Sequence, residues 1–311
     1  MRLRRDEPIQ VKSPAQVAIM REAGLVTAAA LRAAVAAVQP GVSTAELDAI
    51  AEREIRSAGA VPSFKGYHGY PATICTSVND QIVHGIPSSA QVLRAGDVIS
   101  IDCGAIVGGW HGDSAVTVAV GPPPAAAAGG RAGAVGRAEA VGREQVAGLL
   151  RACELAMWHG LAQAVPGRRL TDISHAVEQA ARAAGRYGIV REYTGHGIGS
   201  EMHMEPTVPN YGRAGRGPVL TAGMALAIEP MLVLGAPQTR QLDDGWTVVT
   251  RDGSWAAHFE HTVAITADGP WVLTAEDGGA AGFAALRSGQ TAQVTAAGRA
   301  SVANAGAHNG I

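Results

Sequence analysis

"VLRAGDVISID", residues 92–102, and "VLTAGMALAIE", residues 219–229, read alike. Val, Leu, Ala-Gly and Ile stand in the same places at an offset of 127, and each stretch ends in a carboxylate, Asp102 or Glu229. The likeness extends both ways. Upstream, the Pro-Gly that separates two helical stretches at Pro40-Gly41 returns at Pro166-Gly167. Downstream, "DSAVTV" at Asp113 resembles "EHTVAI" at Glu260. Matches that recur in the same order argue for a duplicated unit. Each unit reads as two helices followed by a β-hairpin with an acid on each arm. The expectation is therefore one α+β domain over residues 13–272, built of two pseudo-symmetric halves, 13–120 and 144–272, with antiparallel sheet covered by helices.

Local signals place the elements. Ser13, Pro14 and Gln16 form a capping box that starts a helix, and Ser43 with Glu46 starts the next. Val17, Met20, Leu25, Ala28, Leu31 and Val35 mark an apolar face on the first, which Pro40-Gly41 ends. From Tyr67 to Val120 the texture is short strands and turns. Residues 121–143, "GPPPAAAAGGRAGAVGRAEAVGR", are low in complexity and read as a linker leading into a helix near Glu144. Residues 275–311 are rich in Gly, Ala, Ser and Thr without periodicity and read as a mobile tail.

Composition bounds the partners. At 47% hydrophobic residues a core is available, and a net charge of -2 offers no basic field for nucleic acid. "MRLRRDEPIQ" has no apolar run after its arginines, so it is not read as a secretory signal. "VTAAALRAAVAAV" carries Arg32 and is alanine-rich, which argues against a membrane span. Three cysteines, Cys75, Cys103 and Cys153, show no disulfide spacing and fit a reducing cytoplasm.

The acids need company. If the turn of "IVGGWHG" centres between Val107 and Gly108, Asp102 and Asp113 face each other across a hairpin, where like charges repel. Two half-buried carboxylates require shared protons or a cation. A single such acid is ordinarily a solvated strand residue, but four at matched points of a repeat are not. Oxygen-rich sites with a histidine suit paired divalent ions. "GHGIGSEMHMEP", residues 195–206, supplies candidates: His196 between two glycines, and His203 seven residues on.

At this point the chain resembles the type I methionine aminopeptidases. The likeness rests on "YHGYPATICTSVNDQIVHGIP", "SIDCG", "HGDSAVT", "TGHGIGSEMHMEP", "LAIEPM" and "FEHTVAIT", in family order between about residues 13 and 272. It implies the pita-bread (creatinase/aminopeptidase) fold and an enzyme that excises N-terminal methionine, with a small second residue preferred. It implies two divalent ions, Co, Mn, Fe or Zn, on Asp102, Asp113, His196, Glu229 and Glu260, with Asp113 and Glu260 shared between them. His84, His203 and Glu229 would be catalytic, His203 toward the oxyanion and His84 toward the scissile nitrogen. Phe64, Tyr67, Tyr70, Cys75, Met202 and Trp246 would form the methionine pocket; the plain reading of each is ordinary core. Met202 stands where the family often has Phe, which softens the pocket. The implied partners are peptides and nascent chains beginning with methionine, met at the ribosome by a cytoplasmic monomer. Neither nucleic acid nor membrane is expected.

Two rivals are weighed. A prolidase or aminopeptidase P resembles this domain but normally carries a further N-terminal domain and would cleave Xaa-Pro. A catalytically dead binding module would have lost ligands, and all five are present. The type II aminopeptidases insert helices between the last two acids, for which Glu229 to Glu260 leaves no room.

Overall fold

Both capping boxes expected from the sequence close as read. In a computed structural model that describes residues 8–121 and 134–288, the Ser13 side chain accepts from the Gln16 amide and the Gln16 side chain accepts from the Ser13 amide. They open α1 (Pro14–Ala36). Ser43 and Glu46 open α2 (Thr44–Ser57) in the same way. The face of α1 that is buried differs from the expected one. Val17, Met20 and Leu31 are in it, but its other members are Ala23, Gly24, Thr27, Ala30 and Ala34. Leu25 is exposed, and Ala28 and Val35 are only partly covered. Close approach is the reason: a Cβ on Gly112 would stand 2.6 Å from the Gly24 amide nitrogen. A helix pressed so tightly onto a strand selects small residues where bulk was expected.

The first half continues with β1 (Val61–Pro62), β2 (Ile74–Val78), β3 (Gln81–Val83), β4 (Val98–Val107) and β5 (Trp110–Ala119). The second opens with α3 (Ala134–Leu161) and α4 (Leu170–Ala184). Helix α3 starts earlier than the expected Glu144, inside the stretch read as linker. Alanine is the best helix former, and it outweighs Gly136 and Gly142 there. The rest of the expected linker, residues 122–133, lies outside the described residues. Then come β6 (Gly188–Ile189), β7 (Gly195–Gly197), β8 (Met204–Val208), β9 (Ala225–Ile228) and β10 (Met231–Val233). β11 (Thr239–Gln241), β12 (Val248–Thr250), β13 (Ala256–His258), β14 (Glu260–Thr266), β15 (Gly269–Val272) and α5 (Ala280–Ser288) complete the order.

The main sheet runs β1-β4-β5-β14-β9-β7-β8, with β2 also on β4 and β15 also on β14, every pair antiparallel. Its centre is the border between β5 and β14, and the two repeated stretches, β4 and β9, flank that pair. The duplication is visible in detail. The Gly41 amide donates to Leu93 O at 2.9 Å, and the Gly167 amide to Leu220 O at 2.9 Å. Leu93 N bonds Val42 O at 2.8 Å, as Leu220 N bonds Arg168 O at 2.8 Å. Gly96 and Gly223 turn with φ of 94° and 92°. Each half has its own apolar core, one under α1 and α2 around Leu47, Ile55, Ile99 and Ile101, the other under α3 and α4 around Leu149, Leu161, Ile173 and Ile228.

One register expectation is corrected. Val107 pairs with Trp110, so the turn is Gly108-Gly109, with φ of 55° and 83°. Two positive φ values are what a two-residue hairpin turn of the right twist needs. Asp102 therefore faces Ala115, and Asp113 faces Gly104. The two acids share a face but are diagonal, not opposite.

The tail reading also changes. Arg21 donates to the carbonyls of Val272, Leu273, Ala275 and Glu276, and Arg32 pairs with Glu276. The Phe283 ring of α5 meets Trp158 edge-on at 5.5 Å. Residues 275–288 are thus packed on the domain, held by carbonyls and one aromatic that periodicity does not register. Residues 289–311 lie outside the described residues. Among the described residues no helix is long and apolar enough to cross a membrane.

Candidate metal centre

Five strands adjacent in the sheet each bring one of the expected ligands to one face. In sheet order these are Asp102 on β4, Asp113 on β5, Glu260 on β14, Glu229 just after β9, and His196 on β7. Donor atoms of Asp113, His196 and Glu260 lie within 4.8 Å of one another. His196 Nε2 is 3.5 Å from Glu229 Oε1. The two central strands hold each other by side chains. Thr262 Oγ1 accepts from the Asp113 amide at 3.0 Å and donates to Asp113 O at 2.8 Å. Ser114 Oγ donates to Glu260 O at 2.7 Å.

The glycines around His196 serve close approach more than freedom of φ. A Cβ on Gly197 would stand 2.1 Å from Glu205 O, and one on Gly195 would stand 2.4 Å from Ala227 O. Strands β8 and β9 press on β7 from both sides. His196 Nδ1 donates to Gly197 O at 2.9 Å, which leaves Nε2 as the lone-pair nitrogen facing the acids.

The electrostatics call for cations. Burial, then the charges of Asp113 and Glu229, push Asp102 well above the usual carboxylate range. Burial, with Asp113 next, does the same to Glu229. Burial raises Glu260, helped by Asp113, Glu229 and Asp102. Asp113 is pushed up to about 7 by burial, against the pull of the Ser114 amide and Asp102. Among the described residues no lysine or arginine pairs with any of these acids. Asp102 Oδ1, Asp113 Oδ1 and Glu260 Oε1 are buried without a hydrogen-bond partner among the described residues. A hard or borderline divalent ion satisfies such oxygens, so the residues present fit the metals implied.

The expected substrate-side residues are gathered beside this centre. His203 Nδ1 is 2.8 Å from Tyr67 Oη, and its ring centroid is 4.3 Å from that of His196. Burial, then neighbouring histidines, lowers its pKa to about 2, so it is neutral. His84 holds φ of 61° and stands edge-on to Tyr193 and Trp246 at 5.6 and 6.4 Å, with its pKa lowered to about 4 by burial. Phe64, Tyr70, Cys75 and Met202 form one apolar cluster, with Tyr67 and Trp246 packed against it. Cys75 faces Asp102 directly in the β2–β4 register, which joins the cluster to the acids.

Two histidines were overlooked. His111 lies two residues before Asp113 on the same face of β5, bonded to Ser63 Oγ at 3.1 Å. His258 lies 3.4 Å from Glu229 Oε2. The signal was available: "HGD" and "HFE" each put a histidine two residues before an expected ligand, the spacing that shares a strand face.

Comparison with known proteins gives the chain its family. Residues 18–267 match metallopeptidase family M24. The chain is 53% identical over 278 residues to methionine aminopeptidase 1 of Mycobacterium tuberculosis (strain CDC 1551 / Oshkosh), covering 88% of this chain and 97% of that one. It is 46% identical to methionine aminopeptidase 1 of Bacillus subtilis (strain 168), over 85% and 98% of the two chains. The crystal structure of methionine aminopeptidase from Thermotoga maritima superposes with a TM-score of 0.76 at 37% identity, over 86% of this chain and all of that one. The prolidase from Pyrococcus furiosus shares the fold at a TM-score of 0.61 and 22% identity, over 85% and 65%.

Proposed function

The chain belongs to metallopeptidase family M24, within it to the methionine aminopeptidases, and from that membership we propose how its residues remove an N-terminal methionine. It is a metal-dependent hydrolase of pita-bread fold that acts on peptides beginning with methionine. Two divalent ions, Co, Mn, Fe or Zn, would be held by Asp102, Asp113, His196, Glu229 and Glu260, with Asp113 and Glu260 shared. One observation supports this above the rest: three carboxylate oxygens are buried and unpartnered where five adjacent strands converge. When bound, such ions polarise a carbonyl and acidify water to near neutral pH.

The remaining work falls to side chains. Tyr67 Oη lies 2.8 Å from His203 Nδ1; with the phenol donating there, Nε2–H is the donor left for substrate. That N–H stabilises the oxyanion as it develops on the first peptide carbonyl. Glu229 takes the proton released by the attacking water and returns it to the leaving amine. His84 hydrogen-bonds the scissile nitrogen. The cluster of Phe64, Tyr67, Tyr70, Cys75, Met202 and Trp246 receives the methionine side chain, aromatic faces and a thiol against a thioether. Burial keeps the Cys75 thiol protonated, so it packs without acting as a nucleophile.

Residues 13–272 form the catalytic domain in this reading. The substrates are peptides and nascent chains with a small second residue, processed by a cytoplasmic monomer at the ribosome. Hydrolysis of Met-Ala-Ser and Ala-Pro-Ala by the metal-loaded protein is the test. Release of methionine from the first with no cleavage of the second is expected. Cleavage of Ala-Pro-Ala alone would replace this reading with that of a prolidase.

A further inference from the structure

We propose that His258 is a further metal ligand, bonding through Nε2 the ion that Glu229 and Glu260 share, so that the centre holds two histidines. The inference rests on the two-ion reading above. It starts from "HFE", residues 258–260. Phe259 turns into the apolar core of the second half. Its neighbours on either side, His258 at the end of β13 and Glu260 at the start of β14, turn the other way, toward the acids. His258 is 2% exposed, and its Nε2 is buried with no hydrogen-bond partner among the described residues.

Such an atom costs stability unless something meets it. What stands nearest is Glu229 Oε2, at 3.4 Å and without hydrogen-bond geometry. Donors bonded to one ion at roughly 2.0–2.2 Å, at tetrahedral or octahedral angles, stand roughly 3.0–3.5 Å apart. His258 and Glu229 are at that separation. His196 is too, at 3.5 Å from the other oxygen of the same carboxylate. Glu229 thus has one histidine at each oxygen, both at the spacing of ligands that share a cation. Donor atoms of Glu229, His258 and Glu260 all lie within 4.8 Å of one another, a trio of the same kind as Asp113, His196 and Glu260.

The residue is also held in place from its backbone. His258 N donates to Thr117 Oγ1 at 2.8 Å, and Thr117 Oγ1 donates to His258 O at 2.7 Å. Ser100 Oγ lies 2.8 Å from the same hydroxyl. The imidazole is therefore aimed by the sheet, leaving Nε2 free for an ion. An extra imidazole makes the site favour borderline metals such as Zn over Mn, which oxygen donors suit.

The test strips the full-length protein of metal and loads zinc to two ions per chain. X-ray absorption at the zinc edge then counts imidazoles. One per zinc on average is expected, from His196 and His258 over two ions; one half overturns the proposal and requires no variant. Competitive titration with Zn and with Mn follows for the parent, His258→Ala and His258→Gln. Expected is a loss of zinc affinity at least about tenfold greater than the loss of manganese affinity in both variants. Equal loss for both metals would make His258 a positioning residue for Glu229 and sink the ligand role, as would no loss. Unchanged circular dichroism of His258→Gln shows that its fold is intact. Failure here is separable from failure of the two-ion reading. A parent that binds two ions, and loses them in Asp113→Asn, keeps that reading whatever His258 does.

Discussion

The strand pairs β4–β5 and β9–β14 bring carboxylates to matched points of the two halves, Asp102 with Asp113 and Glu229 with Glu260, yet the acids are paired differently; β9 and β14 are not the hairpin the repeat suggested, since β10 to β13 lie between them. In the first, Asp102 is diagonal to Asp113 across β4 and β5. In the second, the register His261↔Ile228 places Glu229 and Glu260 next, face to face. Across the border the halves are level: Glu260 pairs with Ala115, and Thr262 exchanges two hydrogen bonds with Asp113. The central pair of acids is thus held symmetrically, and the outer pair is not. The short Asp102 sits back beside Cys75, while the longer Glu229 reaches between His196 and His258. Duplication provides the frame of carboxylates. Divergence of the second half aims His196 and His258 at the two oxygens of Glu229, and with them sets two unequal ion positions.

The largest effects test whether the central pair is equivalent. Asp113→Asn and Glu260→Gln should each abolish turnover and lose both ions, since each is shared. The loss of metal affinity should exceed the roughly 10–100-fold that removal of an outer partner costs. Asp102→Asn should release mainly one ion, as should Glu229→Gln, and both should still end turnover. Metal analysis with kcat measurement checks this. Retention of an ion in Asp113→Asn would break the symmetry argued for the centre. All four metal-free variants should melt no lower than the metal-free parent, because each removes a repelling acid.

A histidine of the second half with no counterpart in the first comes next. His203→Ala should lower kcat by about 10²–10³-fold with little change in KM or metal content, as for an oxyanion donor. Metal loss instead would make His203 a ligand. Tyr67→Phe removes only the hydroxyl that orients it, so a loss of about tenfold or less is expected, in kcat and not in KM.

These sites differ in how far the sequence displayed them. The repeat around Asp102 and Glu229 was legible because identical backbone tasks kept identical residues: Pro-Gly after a helix, Ala-Gly at a turn, apolar strand, acid. The buried face of α1 was not, because hydrophobic size misleads where Gly24 and Gly112 bring a helix against a strand. The packing of residues 275–288 was hidden because Arg21 holds carbonyls, which any residue supplies. His111 and His258 were overlooked because one histidine beside a ligand reads as core until the strand face is known.

The repeated turn offers a direct comparison of the halves. Gly96 and Gly223 share a left-handed conformation, but a Cβ on Gly96 would meet nothing within 4 Å. On Gly223 it would stand 2.5 Å from Lys12 O. Gly96→Ala should therefore cost only the strain of positive φ, about 1–2 kcal/mol. Gly223→Ala must also displace the segment that covers it and should cost more, by about 1–3 kcal/mol, the range for a buried group left unpaired. Chemical denaturation of both variants decides; equal losses would mean that the covering segment contributes nothing.

That covering segment supplies the smallest expected effect, one with a sign. Lys12 N donates to Gly223 O at 2.7 Å, and its buried ammonium has one bond among the described residues, to Gln10 O at 3.1 Å. Among the described residues nothing equivalent lies over Gly96. Burial lowers the Lys12 pKa from 10.5 to about 8. A base whose folded pKa is depressed binds fewer protons folded than unfolded between those two values. The folded state is penalised below pH 8, and the penalty is relieved as pH rises toward 10.5. Between pH 7 and 9 the relief amounts to about 1 kcal/mol. Lys12→Met keeps the apolar stem and removes the charge, so its advantage over the parent should shrink by that amount across the interval. Parallel stability curves for the two proteins from pH 7 to 9 would show that the ammonium reaches water, and that the two turns differ in packing alone.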